Sequence, residues 1–250
     1  MVVYKDTAVV TVRNSSSRLP NKAILKIKGE VRSIDIVIER AKKTDLPVII
    51  CTSTTNNDDV FVDVAKQHNV AIFRGSLLNK IKRWNDCFNK FGIENALLID
   101  GDDLSHNYDI GKRSMRELKA IQVDMVTNPS DIVTGFFTFV ANKSAISKMI
   151  KIVPYEETNT DVITRYIEKA NLKIGYVSLE DYERNENIRL TLDYEEDLEF
   201  FRKLYSNLDI LASGKEIINY LNKNPKLPQI NFYRQKDYLE NQAKFNEAVK

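Results

Sequence analysis

The chain of 250 residues carries 37 Lys and Arg against 35 Asp and Glu, a formal net charge of +2. That balance gives no footing for a nucleic-acid or membrane-surface protein, and no run approaches the ~18 apolar residues that span a bilayer. With 43% hydrophobic and 29% charged residues, the composition is that of a globular chain, long enough for one large α/β domain.

Residues 1–6 run almost directly into the apolar stretch Ala8-Val9-Val10-Thr11-Val12. No signal peptide fits there, and a cytoplasmic protein is expected. The stretch reads as a buried first strand of a parallel sheet. Strands follow at 46–51, 70–73 and 96–99, separated by helical patterns at 31–43, 58–67, 76–90 and 110–120. Within the first of these helices Ile34, Val37, Ile38 and Ala41 recur at i, i+3, i+4 and i+7, the stripe of a helix laid on a sheet. Such alternation predicts right-handed crossovers and an α/β fold with a doubly wound, mostly parallel sheet. Ligands bind beyond the carboxyl ends of such strands. Cys51 and Cys87 lie in apolar segments without metal spacing, which predicts buried free thiols.

Further strands are expected at 122–128 and 132–141, the second a candidate antiparallel strand. A helix at 161–170, a strand at 173–179 and helices at 194–208 and 213–221 come next. They supply a small α+β or dimerisation element to a domain over residues 1–225. Asn224-Pro225-Lys226-Leu227-Pro228 breaks the pattern, and 226–250 is a polar tail that packs on its own domain or across a dimer.

Four segments carry chemistry. Arg13-Asn14-Ser15-Ser16-Ser17-Arg18-Leu19-Pro20-Asn21-Lys22 leaves the first strand as a small, hydroxyl-rich turn with three cations. Backbone N–H groups and fixed cations at a strand's carboxyl end suit a polyphosphate, although a solvated basic loop has the same composition. Asp100-Gly101-Asp102-Asp103 follows the fourth strand and reads either as a divalent-cation site or as an acidic surface turn. The alternating Ile188, Leu190 and Leu192 suggest a strand, and Asp193 lies where it meets a helix. With Glu196, Asp193 reads as a helix cap and its capping box; Asp197 is assigned to the helix surface. Thr52 and Ser53 end the second strand with their hydroxyls toward the ligand side, and Asp58 reads as an N-cap. Of the two histidines, His68 is expected to be solvated or a helix-dipole partner, and His106 sits beside the acidic turn.

The first segment resembles the R-x-x-S-[ST]-R-L-P-x-K signature of the sugar-acid cytidylyltransferases, which include CMP-Kdo synthetases, acylneuraminate cytidylyltransferases and spore coat polysaccharide cytidylyltransferase-like proteins. Asn21 stands where that signature usually has Gly, and Asn tolerates left-handed backbone angles. Gly101-Asp102 is similar to the family's G-D pair, and Arg189-Leu190-Thr191 through Asp193, Glu196, Asp197 and Leu198 is similar to R-L-T-x-D-x-x-E-D-L. Thr52-Ser53 with Asp58-Asp59, and Phe73-Arg74-Gly75-Ser76, resemble two more family segments. Arg83 fits D-x-x-x-R-[YF] with Asn79 in place of its Asp. Leu104 and Tyr155-Glu156-Glu157 depart from the pattern.

The resemblance implies a Rossmann-like nucleotidyltransferase that moves CMP from CTP to an acidic sugar, Kdo- or nonulosonate-like, and releases pyrophosphate in polysaccharide biosynthesis. It implies catalytic roles for Arg13, Lys22, Asp102 and Asp193, with Mg²⁺ on Asp102 and Asp193. The nucleotide would be bound by Arg13, Asn14, Ser16, Ser17, Arg18, Lys22, Thr52, Ser53, Arg74, Ser76, Arg83 and Asp100. A homodimer that binds neither nucleic acid nor membrane is expected. Two alternatives stay open: a phosphonate or sugar phosphate acceptor, and a non-catalytic nucleotide-binding partner protein.

Overall fold

The apolar run at the start of the chain forms β1 (Asp6–Thr11), with every residue from Thr7 onward buried. The computed structural model describes residues 4–248. After β1 come a short hairpin, β2 (Lys26–Lys28) and β3 (Val31–Arg32), and then α1 (Ser33–Lys42), β4 (Val48–Ser53), α2 (Val60–His68) and β5 (Ala71–Gly75). The chain continues through α3 (Lys80–Phe91), β6 (Asn95–Asp100) and α4 (Tyr108–Ile121). The helix expected from residue 31 starts at Ser33 because Val31 and Arg32 pair with the β2 strand. The one expected from residue 76 starts at Lys80, where the Asn79 side chain accepts the Lys82 N–H at 2.8 Å and caps it.

The second half holds β7 (Met125–Thr127), β8 (Phe139–Asn142), α5 (Lys143–Ile150), α6 (Thr164–Lys169) and β9 (Ile174–Tyr176), then α7 (Glu195–Asn207), α8 (Gly214–Lys223) and α9 (Arg234–Ala248). Helix α5 is absent from the sequence reading. Its signal is the Asn142 cap, which accepts the Ala145 N–H at 2.9 Å, ahead of only two turns of helix. The strand expected through 188–192 is instead an extended segment with one bridge, Arg189 to Thr134. Gly135 there has φ +89°, and an added Cβ would lie 2.3 Å from the Leu190 carbonyl oxygen. The close backbone approach leaves no room for a side chain.

The main sheet runs β5-β4-β1-β6-β8-β7-β9. β1, β4, β5 and β6 are parallel, β8 is antiparallel to both β6 and β7, and β9 returns parallel to β7. From β1 the chain winds outward to β4 and β5, then returns to lay β6 on the other side of β1. The connections therefore part between β1 and β6, and a crevice opens beyond the carboxyl ends of those two strands. The Gly101 N–H donates to the Thr11 carbonyl at 2.8 Å and ties the two ends together.

Side-chain alternation along the strands feeds two core layers. Ala8, Val10 and Ile50 pack with α1, α2, α4, α7 and α8, whereas Val9, Ile49 and Cys51 pack with Trp84 of α3, Met149 of α5 and Tyr166 of α6. Cys51 and Cys87 are free and buried. Among the described residues no helix is long and apolar enough to cross a membrane. Beyond the break at 224–228 the chain turns back onto this body. Asn231 Nδ2 donates to the Arg189 carbonyl at 3.1 Å and to Asp197 at 2.8 Å.

His68 is not solvated; it stands in the last turn of α2, where the dipole reading places it, and is held there by two carboxylates. Its ring nitrogens lie 2.8 Å from Asp35 and 2.8 Å from Glu39, clamping the end of α2 to α1. The hydrogen bond to Asp35, against the cost of burial, holds the His68 pKa above its ordinary value. A group raised in this way contributes stability that is fully present below its unfolded pKa of about 6.5 and is lost as pH rises through the folded value. The urea midpoint should therefore fall as pH is raised from about 6 into the alkaline range. In His68→Gln that slope should disappear, and an unchanged slope would contradict the clamp.

Candidate active site

The loop after β1 is folded by its own polar groups. The Asn14 N–H donates to Asp58 Oδ1 at 2.7 Å, and Asn14 Nδ2 donates to Asn21 Oδ1 at 3.0 Å. Ser16 Oγ accepts the Leu19 N–H at 3.3 Å. Asn21 takes φ 58° and ψ 22°, the left-handed turn that Asn tolerates and that aims Lys22 inward.

Lys22 Nζ then stands between two carboxylates, 2.5 Å from Asp102 Oδ2 and 2.9 Å from Asp193 Oδ1. Asp102 comes from the turn after β6, where its carbonyl also accepts the Leu192 N–H at 2.9 Å and so pulls the Asp193 segment alongside. Asp193 is 1% exposed and accepts from Arg18 at 2.5 Å and from Arg189 at 2.9 Å. Burial alone would raise the Asp193 pKa, but the charges of Lys22, Arg18 and Arg189 outweigh it and hold the carboxylate well below its usual range. Burial would likewise lower the Lys22 pKa, and the Asp102 and Asp193 charges instead hold it above the ordinary lysine value. Asp103 differs: burial, together with the Asp102 and Asp100 charges, pushes its carboxyl up, and Thr138 Oγ1 donates to it at 3.1 Å.

These groups line a cavity of about 870 Å³ at the switch point of the sheet. Arg13, Ser16, Ser17, Arg18, Lys22, Arg83, Asp100, Asp102 and Asp193 all reach it. Asn14, Thr52, Ser53, Arg74 and Ser76 do not: the fold uses the polar groups of Asn14, Ser53, Arg74 and Ser76 elsewhere, and the Thr52 hydroxyl is buried without a hydrogen-bond partner among the described residues. Ser53 Oγ donates to Asp58 at 2.5 Å, so Asp58 ties the phosphate-type loop to β4 and does not cap α2. Thr52 is fully buried. Arg74 binds the Ser53 carbonyl at 2.9 Å and Asp59 at 2.6 Å, behind the strand end. Ser76 Oγ accepts the Asn79 N–H at 3.0 Å. Arg83, 1% exposed, donates to the Ser76 carbonyl at 2.6 Å and shares the Leu77 carbonyl with Arg13.

Sequence reasoning missed Lys80, Asp161 and Arg189. Lys80 Nζ stands 3.7 Å from Asp100, and Asp161, expected to open a helix at 161–170, lies instead in the connection before α6, which starts at Thr164, and accepts from Arg13 at 2.9 Å. Arg189 lies in the quoted R-L-T run, four residues before Asp193, and that spacing was its only signal. His106 is 4% exposed and its ring nitrogens have no hydrogen-bond partner among the described residues. Burial and the nearby Arg40 push its pKa down to about 3, so it is neutral and faces no acidic substrate. Among the described residues no group of three or more His, Cys, Asp or Glu side chains converges as a metal cluster.

Asp197 overturns its assignment to the helix surface. It is fully buried and accepts from Arg189 at 3.0 and 3.1 Å, from the Asp193 N–H at 2.8 Å and from the Tyr194 N–H at 3.0 Å. Tyr194, not Asp193, is the N-cap of α7, and Asp197 is the third helical residue of the capping box. Asp197→Asn would turn an amide donor toward donors and weaken a buried ion pair. The loss should be roughly 3 kcal/mol, a fall of about 6–12 °C in Tm for a domain of this size. Thermal unfolding measures it, and an unchanged Tm would return Asp197 to the surface.

Comparison with known proteins gives the same picture at each level. A protein of Methanocaldococcus jannaschii whose function is uncharacterised is 28% identical over 242 residues, 94% of this chain and 98% of that one. The structure of a cytidylyltransferase from Leptospira borgpetersenii superposes with a TM-score of 0.82 at 24% identity, covering 90% of this chain and 97% of that chain. A CMP:2-keto-3-deoxy-manno-octonic acid synthetase solved with CTP superposes with a TM-score of 0.61 at 14% identity, over 81% and 99% of the two chains. These likenesses show a shared nucleotidyltransferase fold. Residues 7–217 match the cytidylyltransferase family model; the chain belongs to that family and is a CTP-dependent nucleotidyltransferase.

Proposed function

We propose that the enzyme transfers CMP from CTP to an acidic sugar of Kdo or nonulosonate type, with magnesium held by Asp102 and Asp193. The observation that carries the reading is the Lys22 ammonium in contact with both carboxylates, at 2.5 and 2.9 Å. Two carboxylates around one cation, open to a cavity, would supply the protein share of a magnesium site whose other ligands are oxygens of substrate and water. Magnesium held there by Asp102 and Asp193 would supply charge neutralisation for the transfer.

The chain's own residues do the rest. Arg13, Arg18 and Lys22 hold the phosphates and offset the charge that gathers on departing pyrophosphate. The cavity orients the acceptor so that its oxygen attacks the α-phosphorus in line. Arg189 and Asp197 fix the orientation of Asp193 from behind. The product of such a transfer is an activated sugar for polysaccharide assembly. A homodimer belongs to the same reading; it is supported by the exposed Tyr176 on edge strand β9 and the exposed Ile121 at the end of α4.

A pyrophosphate-release screen with CTP, Mg²⁺ and a panel of keto sugar acids, sugar phosphates and phosphonates tests the transfer. Turnover is expected with a sugar acid; turnover confined to phosphates or phosphonates would replace the acceptor class. In thermal shift, CTP at a hundred times its Kd should add about 2.7 kcal/mol. Equal stabilisation by ATP or GTP would remove the nucleotide assignment.

Asp102→Asn and Asp193→Asn should each abolish most activity. The double variant should lose little more than the worse single one, because both would serve one ion. Additive losses would assign the two carboxylates separate roles.

A further inference from the structure

The cytidylyltransferase match ends at residue 217, yet the cavity has a wall made by the helix beyond it. Gln235, Tyr238, Asn241 and Gln242 of α9, with Leu239, line the same cavity as Lys22, Asp102 and Asp193. Their spacing of i, i+3, i+6 and i+7 places them on one helical face, while Lys236 and Glu240 pair at 3.9 Å on the outer side. The wall is fastened to the catalytic carboxylate. Arg189 donates to Gln235 Oε1 at 3.1 Å and to Asp193 Oδ2 at 2.9 Å, and its guanidinium lies 4.9 Å from the Tyr238 ring centroid. Gln235 Nε2 reaches Thr134 Oγ1 at 3.0 Å and joins α9 to the segment before β8.

The chemistry of this wall differs from that of the opposite side. Among the described residues, the cations that line the cavity all come from the loop after β1 and from α3. The α9 side offers amides, a phenol and no charge. Asn241 Nδ2 donates to the Tyr194 hydroxyl at 3.2 Å, and Gln242 Nε2 donates to the Tyr238 hydroxyl. Asn241 Oδ1 and Gln242 Oε1 accept no hydrogen bond among the described residues, although an amide oxygen has two lone pairs. Phosphates belong with the cations. Neutral hydroxyls belong with free amide oxygens held beside an aromatic ring.

We propose that α9 is the acceptor-reading wall of the cavity, with Gln242 and Asn241 hydrogen-bonding the uncharged polyhydroxyl part of the acceptor. The inference rests on the sugar-acid reading above and adds the element that selects among sugar acids. The acid end of the acceptor then faces Arg18, Lys22 and the Asp102–Asp193 pair. Its hydroxylated tail runs along α9, against the ring of Tyr238.

Steady-state kinetics on the full chain test this, using whichever keto sugar acid of the panel the unaltered protein turns over fastest. Gln242→Leu should raise KM for that acceptor about two- to ten-fold, the range expected for one lost hydrogen bond. Asn241→Leu combined with it should raise KM further, with kcat and the KM for CTP unchanged in both. Glu240→Gln, on the outer face of the same helix, should leave every parameter unchanged. An unaltered acceptor KM in the double variant overturns the proposal, and so does a rise in the KM for CTP as large as that for the acceptor. If the unaltered protein turns over no sugar acid while still binding CTP by calorimetry, the sugar-acid reading fails and takes this proposal with it.

Discussion

Asp193 sets the terms for everything around it. A carboxylate that is 1% exposed is costly to bury unless cations and hydrogen bonds replace its lost water. This one is met by Lys22 and Arg18 from the loop after β1 and by Arg189 from the segment before α7. Each of those cations needs its own support. Lys22 has Asp102, Arg189 has Asp197, and Arg18 stands 5.5 Å from the centroid of the Tyr194 ring. The loop after β1, the turn after β6, the start of α7 and the root of α9 are thereby held around one buried charge. None of them could be moved far without leaving an ion unpaired.

The sheet explains why these parts meet. The switch between β1 and β6 opens the crevice, and the bond from Gly101 to Thr11 keeps the two carboxyl ends level. The antiparallel β8 lets the second half of the chain return across the same end, so that Arg189 and Asp193 arrive opposite Lys22. The fold supplies position, and the ion pairs supply polarity.

What the sequence made legible follows from the range of the interactions. The doubly wound core could be read from apolar runs and 3.6-residue stripes, because those patterns are local. The loop from Arg13 to Lys22 and the turn at Asp102 were legible for the same reason, since strand-end turns advertise themselves in a few residues. Arg74, Ser76, Thr52 and Ser53 looked ligand-facing because they end strands or begin helices. The structure turns the polar groups of Arg74, Ser76 and Ser53 to Asp58, Asp59 and nearby backbone and buries the Thr52 hydroxyl without a partner among the described residues, outcomes that spacing alone does not rank. Asp197 was read as a surface residue because a carboxylate in a first helical turn usually faces water. Its burial depends on Asn231 and Arg189, one of them 34 residues away. Asp161 and α9 were hidden by distance in the chain, 148 residues between Asp161 and Arg13 and 101 between Gln235 and Thr134.

Asn21 carries one more implication. It occupies a left-handed position with φ 58° where glycine would be free of strain, and its side chain is bonded across the loop to Asn14 at 3.0 Å. A glycine there would leave the segment more conformational freedom when no ligand is bound. Here the staple between the two asparagines, the Asn14 N–H on Asp58 and the Ser16 bond to Leu19 fix the loop's shape during folding. The entropy lost in ordering it is therefore absent from any association step, and a polyphosphate docking there, as proposed, would meet donors already in register. On the proposed reading, nucleotide affinity would depend on the stability of a surface turn as much as on the charges that the turn presents.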